Sequence, residues 1–230
     1  MRNKIVSLMV LANLIAITAQ AAPAPSPTPA PAAKVVPGGN IPITYLPFNI
    51  STPGTYVLKS NMTYNNWNPI GPVVTPPITV SGVLTGPIVI DFKGFTITGT
   101  HNDVGIEAVR ITSASSYPNN FPVTVQNGTV YLFVGGVSAK STGNVTVKNM
   151  TISACGWGIS FTDVFNSTVK NVDIVGPAPE SEGIYDKSTG AGNTYDSVTF
   201  SKIDFPFYFA DQDFDDRNLT LNFKPTPPAK

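Results

Sequence analysis

The densest cluster of charge in the sequence lies near its C-terminus. Asp211, Asp213 and Asp215 alternate with uncharged residues, so the three carboxylates would share one face of an extended segment. Carboxylate oxygens are ligands that Ca²⁺ prefers, and these residues are therefore a candidate calcium site. The glycine and terminal glutamate of an EF-hand loop are missing, and aspartates also keep terminal strand edges soluble. The sequence leaves two alternatives open, a bound Ca²⁺ or no cofactor.

A second set of candidate residues follows a recurring dipeptide. A series of glycine-apolar dipeptides begins at Gly105, Gly136, Gly158 and Gly183, and Pro206-Phe207 continues it as a variant. Side chains alternate between the two faces of a strand, so the residue after each dipeptide is predicted to point outward. These outward residues are Glu107, Ser138, Ser160, Tyr185 and Tyr208.

This outward row is a candidate substrate-binding surface for a polysaccharide or another cell-surface component. Tyrosine rings can lie against sugar faces while their hydroxyls bond water or ligand. Lys140, Thr162 and Lys187 are predicted to flank the row, two residues further along their strands. The alternative is an ordinary solvated sheet face made of residues that favour strands.

Few residues remain for other kinds of chemistry. His101 and Cys155 are the only histidine and the only cysteine, which excludes an internal disulfide and a Cys/His zinc site within one chain. Lysine plus arginine and aspartate plus glutamate each number 14. Since no basic stripe exists, nucleic acid is not an expected partner.

A repeat positions these residues. The pentads Val123–Asn127, Val145–Asn149 and Ser167–Asn171 are nearly identical and each begins 22 residues after the previous one. Apolar and polar residues alternate within each pentad, which predicts a short strand with one buried face. A fixed period in this range is typical of stacked repeats that bury a continuous core.

The glycine-apolar dipeptides run in phase with the pentads, and a third short segment follows each pentad asparagine. The sequence therefore predicts about three short strands per turn, with like residues stacked from turn to turn. The predicted inward stack of the dipeptide strands contains Ile106, Val137, Ile159, Ile184 and Phe207.

The pentads end in Asn127, Asn149 and Asn171, where the strand must bend. Asparagine tolerates strained turn backbone, and its amide both donates and accepts, so we expect a ladder of amide hydrogen bonds. The alternative is that asparagines of this series are glycosylation acceptors, since Asn127 and Asn149 begin Asn-x-Thr triplets.

Residues 1–21 have the pattern of a secretory signal peptide. Arg2 and Lys4 precede the apolar run Ile5–Ile17, and small residues follow at the expected cleavage position. The run is shorter than the roughly 20 apolar residues that cross a bilayer, so no stable membrane insertion is expected after its removal. The protein is therefore predicted to be secreted or periplasmic.

The rest of the chain divides by composition. Residues 22–40 form a Pro/Ala-rich linker, residues 41–223 form one folded domain, and residues 224–230 form a Pro-rich tail. Within the domain, residues 41–80 lack the regular pattern and are interpreted as an N-terminal cap over an exposed strand edge.

The 22-residue turns, the Gly-Ile strand openers and the asparagine column resemble right-handed parallel β-helix repeat proteins of the pectate-lyase-like superfamily. The opening segments Leu46–Leu58 and Ile88–Ile97 are similar to the entry of bacterial members. The resemblance implies an all-β fold, a single-stranded right-handed parallel β-helix of about five to six short turns with an N-terminal cap. It covers residues 46–223 and says little about function, because this fold hosts lyases, hydrolases, adhesins and copper-associated proteins.

The resemblance suggests two catalytic alternatives. A pectate lyase would combine Arg110 with calcium-binding carboxylates, for which Asp163 and Asp186 are the nearest candidates. A glycoside hydrolase would use two carboxylates, and Asp163 and Asp211 are two turns apart. The polygalacturonase motifs Asn-Thr-Asp, Gly-His-Gly and Arg-Ile-Lys are all absent, and the short turns leave little wall for a closed pocket.

The sequence therefore favours a secreted or cell-envelope protein that binds or scaffolds carbohydrate or a cell surface without its own catalytic centre. The alternative is a pectate-lyase-like lyase or a glycoside hydrolase acting on the face of the glycine-apolar strands. A periplasmic role in metal-cofactor maturation is disfavoured, because clusters of cysteine, histidine and methionine are missing.

Overall fold

The computed structural model describes residues 39–65, 75–100, 106–112, 121–176, 181–188, 192–209 and 220–223, all within one compact unit of the chain. These residues form strands and connecting segments without a helix, so the all-β prediction is confirmed for them. The predicted signal peptide, nearly all of the linker and the tail lie outside the described residues. No described helix could cross a membrane, since none is present.

The strands, numbered in chain order, pair in parallel in two sheets. The ten-stranded sheet contains β1 (Ile41–Ile43), β3 (Gly54–Leu58), β4 (Met62–Tyr64), β6 (Ile88–Asp91), β7 (Thr96–Gly99), β9 (Val123–Tyr131), β11 (Val145–Ser153), β13 (Thr168–Val175), β15 (Thr194–Ser201) and β17 (Thr220–Phe223). The seven-stranded sheet contains β2 (Phe48–Ile50), β5 (Ile78–Val80), β8 (Glu107–Thr112), β10 (Gly135–Gly143), β12 (Trp157–Phe165), β14 (Glu182–Lys187) and β16 (Phe205–Phe209).

The chain passes alternately through the two sheets, so successive strands of each sheet form successive rungs. Strand β9 pairs with β11 and β11 with β13, while β10 pairs with β12 and β12 with β14. Parallel pairing of strands that return at a fixed period is compatible with a β-helix.

The pentads lie in the ten-stranded sheet, in the predicted register. Val125, Val147 and Val169 are partners on three consecutive rungs, and each is fully buried. Burial of apolar side chains at about 25 cal/mol per Å² supplies the main stabilisation of each rung against its neighbours.

Two of the three short strands predicted per turn are joined in the structure. Strands β9, β11 and β13 continue through the pentad asparagine, and the backbone bends there because the residue has positive φ. The φ angles of Asn127, Asn149 and Asn171 are 61°, 52° and 52°. Asparagine is one of the few non-glycine residues that adopt this conformation readily, which explains its recurrence.

The described residues among 41–80 contribute strands to both sheets. Strands β1 and β3 lead in register to β6, and β2 and β5 lead in register to β8. The seven-stranded sheet therefore begins before the first turn that the sequence pattern identifies. These early strands lack the repeat signature because their connections differ in length and are rich in proline.

The inward stack of the seven-stranded sheet corrects one prediction. Val137 pairs with Val109 and not with Ile106, whereas Val137, Ile159, Ile184 and Phe207 are in register as expected. Ile106 and Val109 are both buried. The observed register differs from the predicted one by three residues. It is favoured because it places Val109 and Ile111 in the core and lets Arg110 reach solvent.

Candidate functional site

The outward face of the seven-stranded sheet carries a continuous row of polar and aromatic residues, here called the central row. Its members are partners on consecutive rungs and comprise Thr79, Arg110, Ser138, Ser160, Tyr185 and Tyr208. Ser138, Ser160, Tyr185 and Tyr208 thus stand in one row, as the sequence predicts. Arg110 takes the place predicted for Glu107.

Glu107 lies beside the central row and is nearly inaccessible, with 6% of the residue exposed. Its strand partner is Gly135. One carboxylate oxygen, Oε1, accepts hydrogen bonds from Arg110 Nε and, at 2.9 Å, from Ser138 Oγ, and Oε2 accepts from Arg110 Nη2 at 2.9 Å. Glu107 therefore orients Arg110 and Ser138 rather than offering a free oxygen to a ligand.

Arg110 is held with its guanidinium plane fixed and its side chain 34% exposed. The hydrogen bond with Glu107 raises the pKa of Arg110 and outweighs the opposing effect of burial. A guanidinium oriented from one side still presents N–H groups on the other, which suits hydroxyl or carboxylate oxygens of a ligand.

Trp157 provides a flat surface next to this cluster. It is the strand partner of Gly135, and a Cβ atom at Gly135 would lie 2.0 Å from Cζ2 of Trp157. The indole therefore covers the backbone of the neighbouring strand, in the space that a side chain would need, and the residue stays half-exposed. Trp157 was not among the predicted site residues, although glycine and tryptophan lie 22 residues apart in the sequence and were the available signal.

Tyr185 and Tyr208 stack on each other. Their ring centroids are 5.1 Å apart and their planes differ by 3°. Two rings lying edge to edge in a common plane could not have their centroids this close. The rings are therefore stacked, and each turns one face toward the other. The pair therefore offers hydroxyls and ring edges to a ligand more than open faces.

A second outward row flanks the central row, as predicted. Lys140, Thr162 and Lys187 are strand partners on three consecutive rungs. Both lysines are exposed, and neither forms an ion pair with another described residue. The strand positions of the two lysines are two rungs apart, ~9.6 Å along the sheet.

Asp163 and Asp186, the predicted carboxylates of a lyase, are not brought together. Asp163 is exposed at a bend with φ of 52°. Asp186 points into the interior, where it accepts hydrogen bonds from Tyr195 Oη at 2.6 Å, Asn193 Nδ2 at 3.2 Å and Ser188 N at 2.8 Å. Asp186 thus belongs to a buried polar network and not to a solvated turn.

The predicted calcium ligands Asp211, Asp213 and Asp215 lie outside the described residues, as does His101. Among the residues that the structure does describe, no group of three His, Cys, Asp or Glu side chains could hold a metal ion. Burial raises the pKa of the Cys155 thiol to about 11, so this group is not a nucleophile near neutral pH.

The asparagine column forms the predicted ladder. Asn149 Nδ2 donates to Asn127 Oδ1 at 3.1 Å, and Asn171 Nδ2 donates to Asn149 Oδ1 at 3.3 Å. Asn127 Nδ2 in turn donates to Asp91 Oδ1 at 3.2 Å. These amides hold the bends of successive rungs together within the ten-stranded sheet, whereas the central row lies on the seven-stranded sheet.

Comparison with known proteins gives no match: no family model, curated protein or solved structure resembles the chain significantly. Function is therefore inferred from the geometry of the outward face of the seven-stranded sheet. That face combines a flat indole, an oriented guanidinium, two exposed ammonium groups and a row of hydroxyls.

Proposed function

We propose that the chain is a right-handed parallel β-helix protein, similar to the pectate-lyase-like superfamily, that binds a polysaccharide of a cell surface or matrix. The binding surface is the outward face of the seven-stranded sheet. The protein acts as a secreted or periplasmic binding or scaffold module without its own catalytic centre. The placement of Trp157 over Gly135 is the observation that carries this proposal.

The indole of Trp157 gives the face a binding element that a solvated sheet lacks. Its ring is supported from below by the Gly135 backbone and remains half-exposed. An apolar plane of this kind suits the C–H face of a pyranose, while neighbouring polar groups bind the hydroxyls. Ser138, Ser160 and Arg110 stand within the adjacent row and supply those groups.

Charge on the face favours an acidic polymer. Arg110 is neutralised by Glu107, but Lys140 and Lys187 have no described ion-pair partner. Two cations spaced along the rungs match a chain that carries anionic groups at intervals, and such contacts mainly raise association rate and specificity. We therefore expect tighter binding to uronate-containing polymers than to neutral ones.

The arrangement of acids favours binding over hydrolysis. Both oxygens of Glu107 are occupied by Arg110 and Ser138. Glu107, Gly135, Trp157 and Glu182 are partners on consecutive rungs, so the carboxylate of Glu182 is three rungs from that of Glu107. At ~4.8 Å per rung the separation is ~14 Å, beyond the ~6.5–9.5 Å of inverting glycosidases.

The test is binding of the purified domain to a panel of neutral and acidic polysaccharides by affinity electrophoresis and calorimetry. Trp157→Ala should weaken binding about twofold to tenfold, since stacking contributes roughly 0.5–1.5 kcal/mol. Gly135→Val should have the same effect, because the added side chain displaces the indole although the sequence still contains Trp157. Thr146→Ala, on the outward side of β11 in the other sheet, is the matched control and should bind normally.

Two outcomes would contradict the proposal. If the wild type, Trp157→Ala and Gly135→Val bound equally well, the outward face of the seven-stranded sheet would not be the binding surface. Release of unsaturated or reducing sugars by the wild type, lost in Arg110→Ala, would replace the binding module with the lyase or hydrolase alternative.

A further inference from the structure

Asn127 and Gly128 form the sole Asn-Gly dipeptide of the sequence. In this dipeptide the backbone nitrogen after asparagine carries no neighbouring side chain, so it can approach the side-chain amide carbon closely. Asn-Gly is for this reason the dipeptide most open to intramolecular attack. The other two ladder asparagines, Asn149 and Asn171, precede methionine and valine.

The fold requires both residues of the dipeptide. Asn127 has a φ of 61°, and its amide occupies the first position of the ladder. A Cβ atom at residue 128 would lie 2.2 Å from Cβ of Phe92 and 2.7 Å from the carbonyl oxygen of Phe95. Phe92 thus fills the core space that Met150 occupies one rung later, and no larger residue can replace Gly128.

Asp91 sets the direction of the whole ladder. An ionised carboxylate only accepts hydrogen bonds, so Asn127 must turn Nδ2 toward it and Oδ1 toward Asn149. Asn149 then turns its own oxygen toward Asn171. The amide group of Asn127 is therefore the donor that links the ladder to Asp91.

We propose that Asn127 is a site of spontaneous deamidation, and that its conversion to a carboxylate breaks the contact with Asp91. The Gly128 nitrogen attacks Cγ of Asn127, the bond from Cγ to Nδ2 breaks, and ammonia leaves with the Gly128 proton. Water then opens the cyclic imide at either carbonyl, which yields aspartate or isoaspartate. Water is the only co-reactant.

The product cannot replace the lost donor. A carboxylate at residue 127 would face the carboxylate of Asp91 where Nδ2 now lies 3.2 Å from Oδ1. Like charges at this distance repel, and Lys93 Nζ, 3.1 Å from Asp91 Oδ2, offsets this repulsion in part. Isoaspartate would in addition lengthen the backbone at the bend between the two halves of β9.

The native hydrogen bonds of Asn127 slow this reaction, because both amide atoms must leave their partners first. The rate therefore reports local opening of the ladder. Removing one partner with Asn149→Ala should accelerate deamidation of Asn127 several-fold, since the neighbouring amide no longer holds Oδ1.

The test incubates the folded full-length protein at mildly alkaline pH and follows each asparagine by peptide mass mapping, where deamidation adds about 1 Da. Asn149 and Asn171 occupy equivalent ladder positions and serve as controls within the same molecule. We expect Asn127 to convert at least tenfold faster than either and faster still in Asn149→Ala. Equal rates at the three positions, or conversion elsewhere with Asn127 intact, would overturn the proposal.

A second measurement examines the consequence. Asn127→Asp should lower the melting temperature by about 5 °C or more, and Asp91→Asn/Asn127→Asp should recover part of the loss by restoring one donor–acceptor pair. Asn171→Asp, at the far end of the ladder, is the matched control and should lower it less. An Asn127→Asp protein as stable as Asn171→Asp, or no recovery in the double variant, would remove the link to Asp91.

Discussion

At the scale of single residues, Asp91 is a buried carboxylate that hydrogen bonds keep in its charged form. It is nearly buried, yet four hydrogen-bond donors surround it: Lys93 N, Lys93 Nζ, Gln126 Nε2 and Asn127 Nδ2. Burial alone would raise the pKa of Asp91, but the bonds from Lys93, Asn127 and Gln126 together lower it below its ordinary value. The carboxylate is therefore stabilised in its charged form in the folded protein.

The lowered pKa of Asp91 predicts acid sensitivity. A folded-state pKa below the unfolded value means that the stabilisation is fully present above about pH 3.9, the unfolded value, and is lost as pH falls through the folded pKa. At neutral pH, Asp91→Asn should be less stable than wild type by about 1–2 kcal/mol, since it loses the charge-assisted bonds. The difference should shrink toward pH ~2.

Thermal unfolding at neutral pH and at low pH, followed by circular dichroism, measures that difference. The matched control is Asp163→Asn, because Asp163 is exposed and carries the same charge. A stability gap between wild type and Asp91→Asn that stays constant with pH would contradict the assignment.

Glu107 shows why residue type alone does not identify a ligand contact. An outward glutamate beside a row of serines and tyrosines predicts a substrate-binding acid. In the structure its oxygens hold Arg110 and Ser138, so its role is to position them. Arg110 lies three residues further along β8 and Ser138 belongs to the neighbouring strand β10, and the alternation within β8 shows neither contact.

At the scale of elements, one terminal strand of each sheet carries proline. Pro42 lies in β1, the first strand of the ten-stranded sheet, and Pro206 lies in β16, the last strand of the seven-stranded sheet. Proline has no N–H to offer to a further strand, so it protects an edge against pairing with another chain. Phe205 and Tyr208, both exposed, make the β16 edge the more prone to association.

Replacing Pro206 should expose that tendency. Pro206→Thr restores an N–H on an apolar edge strand and should increase self-association at micromolar concentration, which light scattering or sedimentation would detect. Pro122→Thr, next to the central strand β9, is the matched control because no free edge lies there. If the Pro206→Thr protein remained monodisperse at every concentration at which the Pro122→Thr protein does, this role of Pro206 would be contradicted.

The elements also show where periodicity stops being informative. Strands β9, β11 and β13 repeat every 22 residues or close to it, and their pairing follows directly from the sequence. Strand β8 lies within the 31-residue interval between Gly105 and Gly136, and its predicted register was wrong by three residues. A one-residue error already exchanges the two faces of a strand, so irregular spacing removes the basis for choosing among registers.

At the scale of the whole molecule, stability depends on columns that cross every rung. Ile159 lies in the middle of the inward column between Val137 and Ile184, and all three are fully buried. No rung has a core of its own, so a cavity in one rung removes contacts from both neighbours.

Ile159→Ala should therefore cost about 2–5 kcal/mol and lower the melting temperature by roughly 5–15 °C. Ser160→Ala changes the adjacent outward position of the same strand and should shift it by less than about 2 °C. Denaturant and thermal unfolding of both variants measure the contrast. Similar losses in the two variants would show that the inward and outward faces of β12 are assigned incorrectly.

The sequence by itself determined the features that repeat. Alternation of apolar and polar residues identifies strands and their buried faces, and equal spacing identifies which strands are neighbours, as with Val125, Val147 and Val169. The bends and the amide ladder follow for the same reason, because asparagine both accepts a positive φ and links identical positions.

Only the tertiary structure decided the features that depend on a contact between two residues of different type. The indole of Trp157 lies over Gly135, Glu107 turns to Arg110 and Ser138, and Asp91 directs the asparagine ladder. Each is a contact between different residue types, either on adjacent rungs or, for Glu107 and Arg110, within one strand. The repeat specifies what stacks on its own kind, whereas these contacts depend on register and side-chain packing across rungs, which no local pattern encodes.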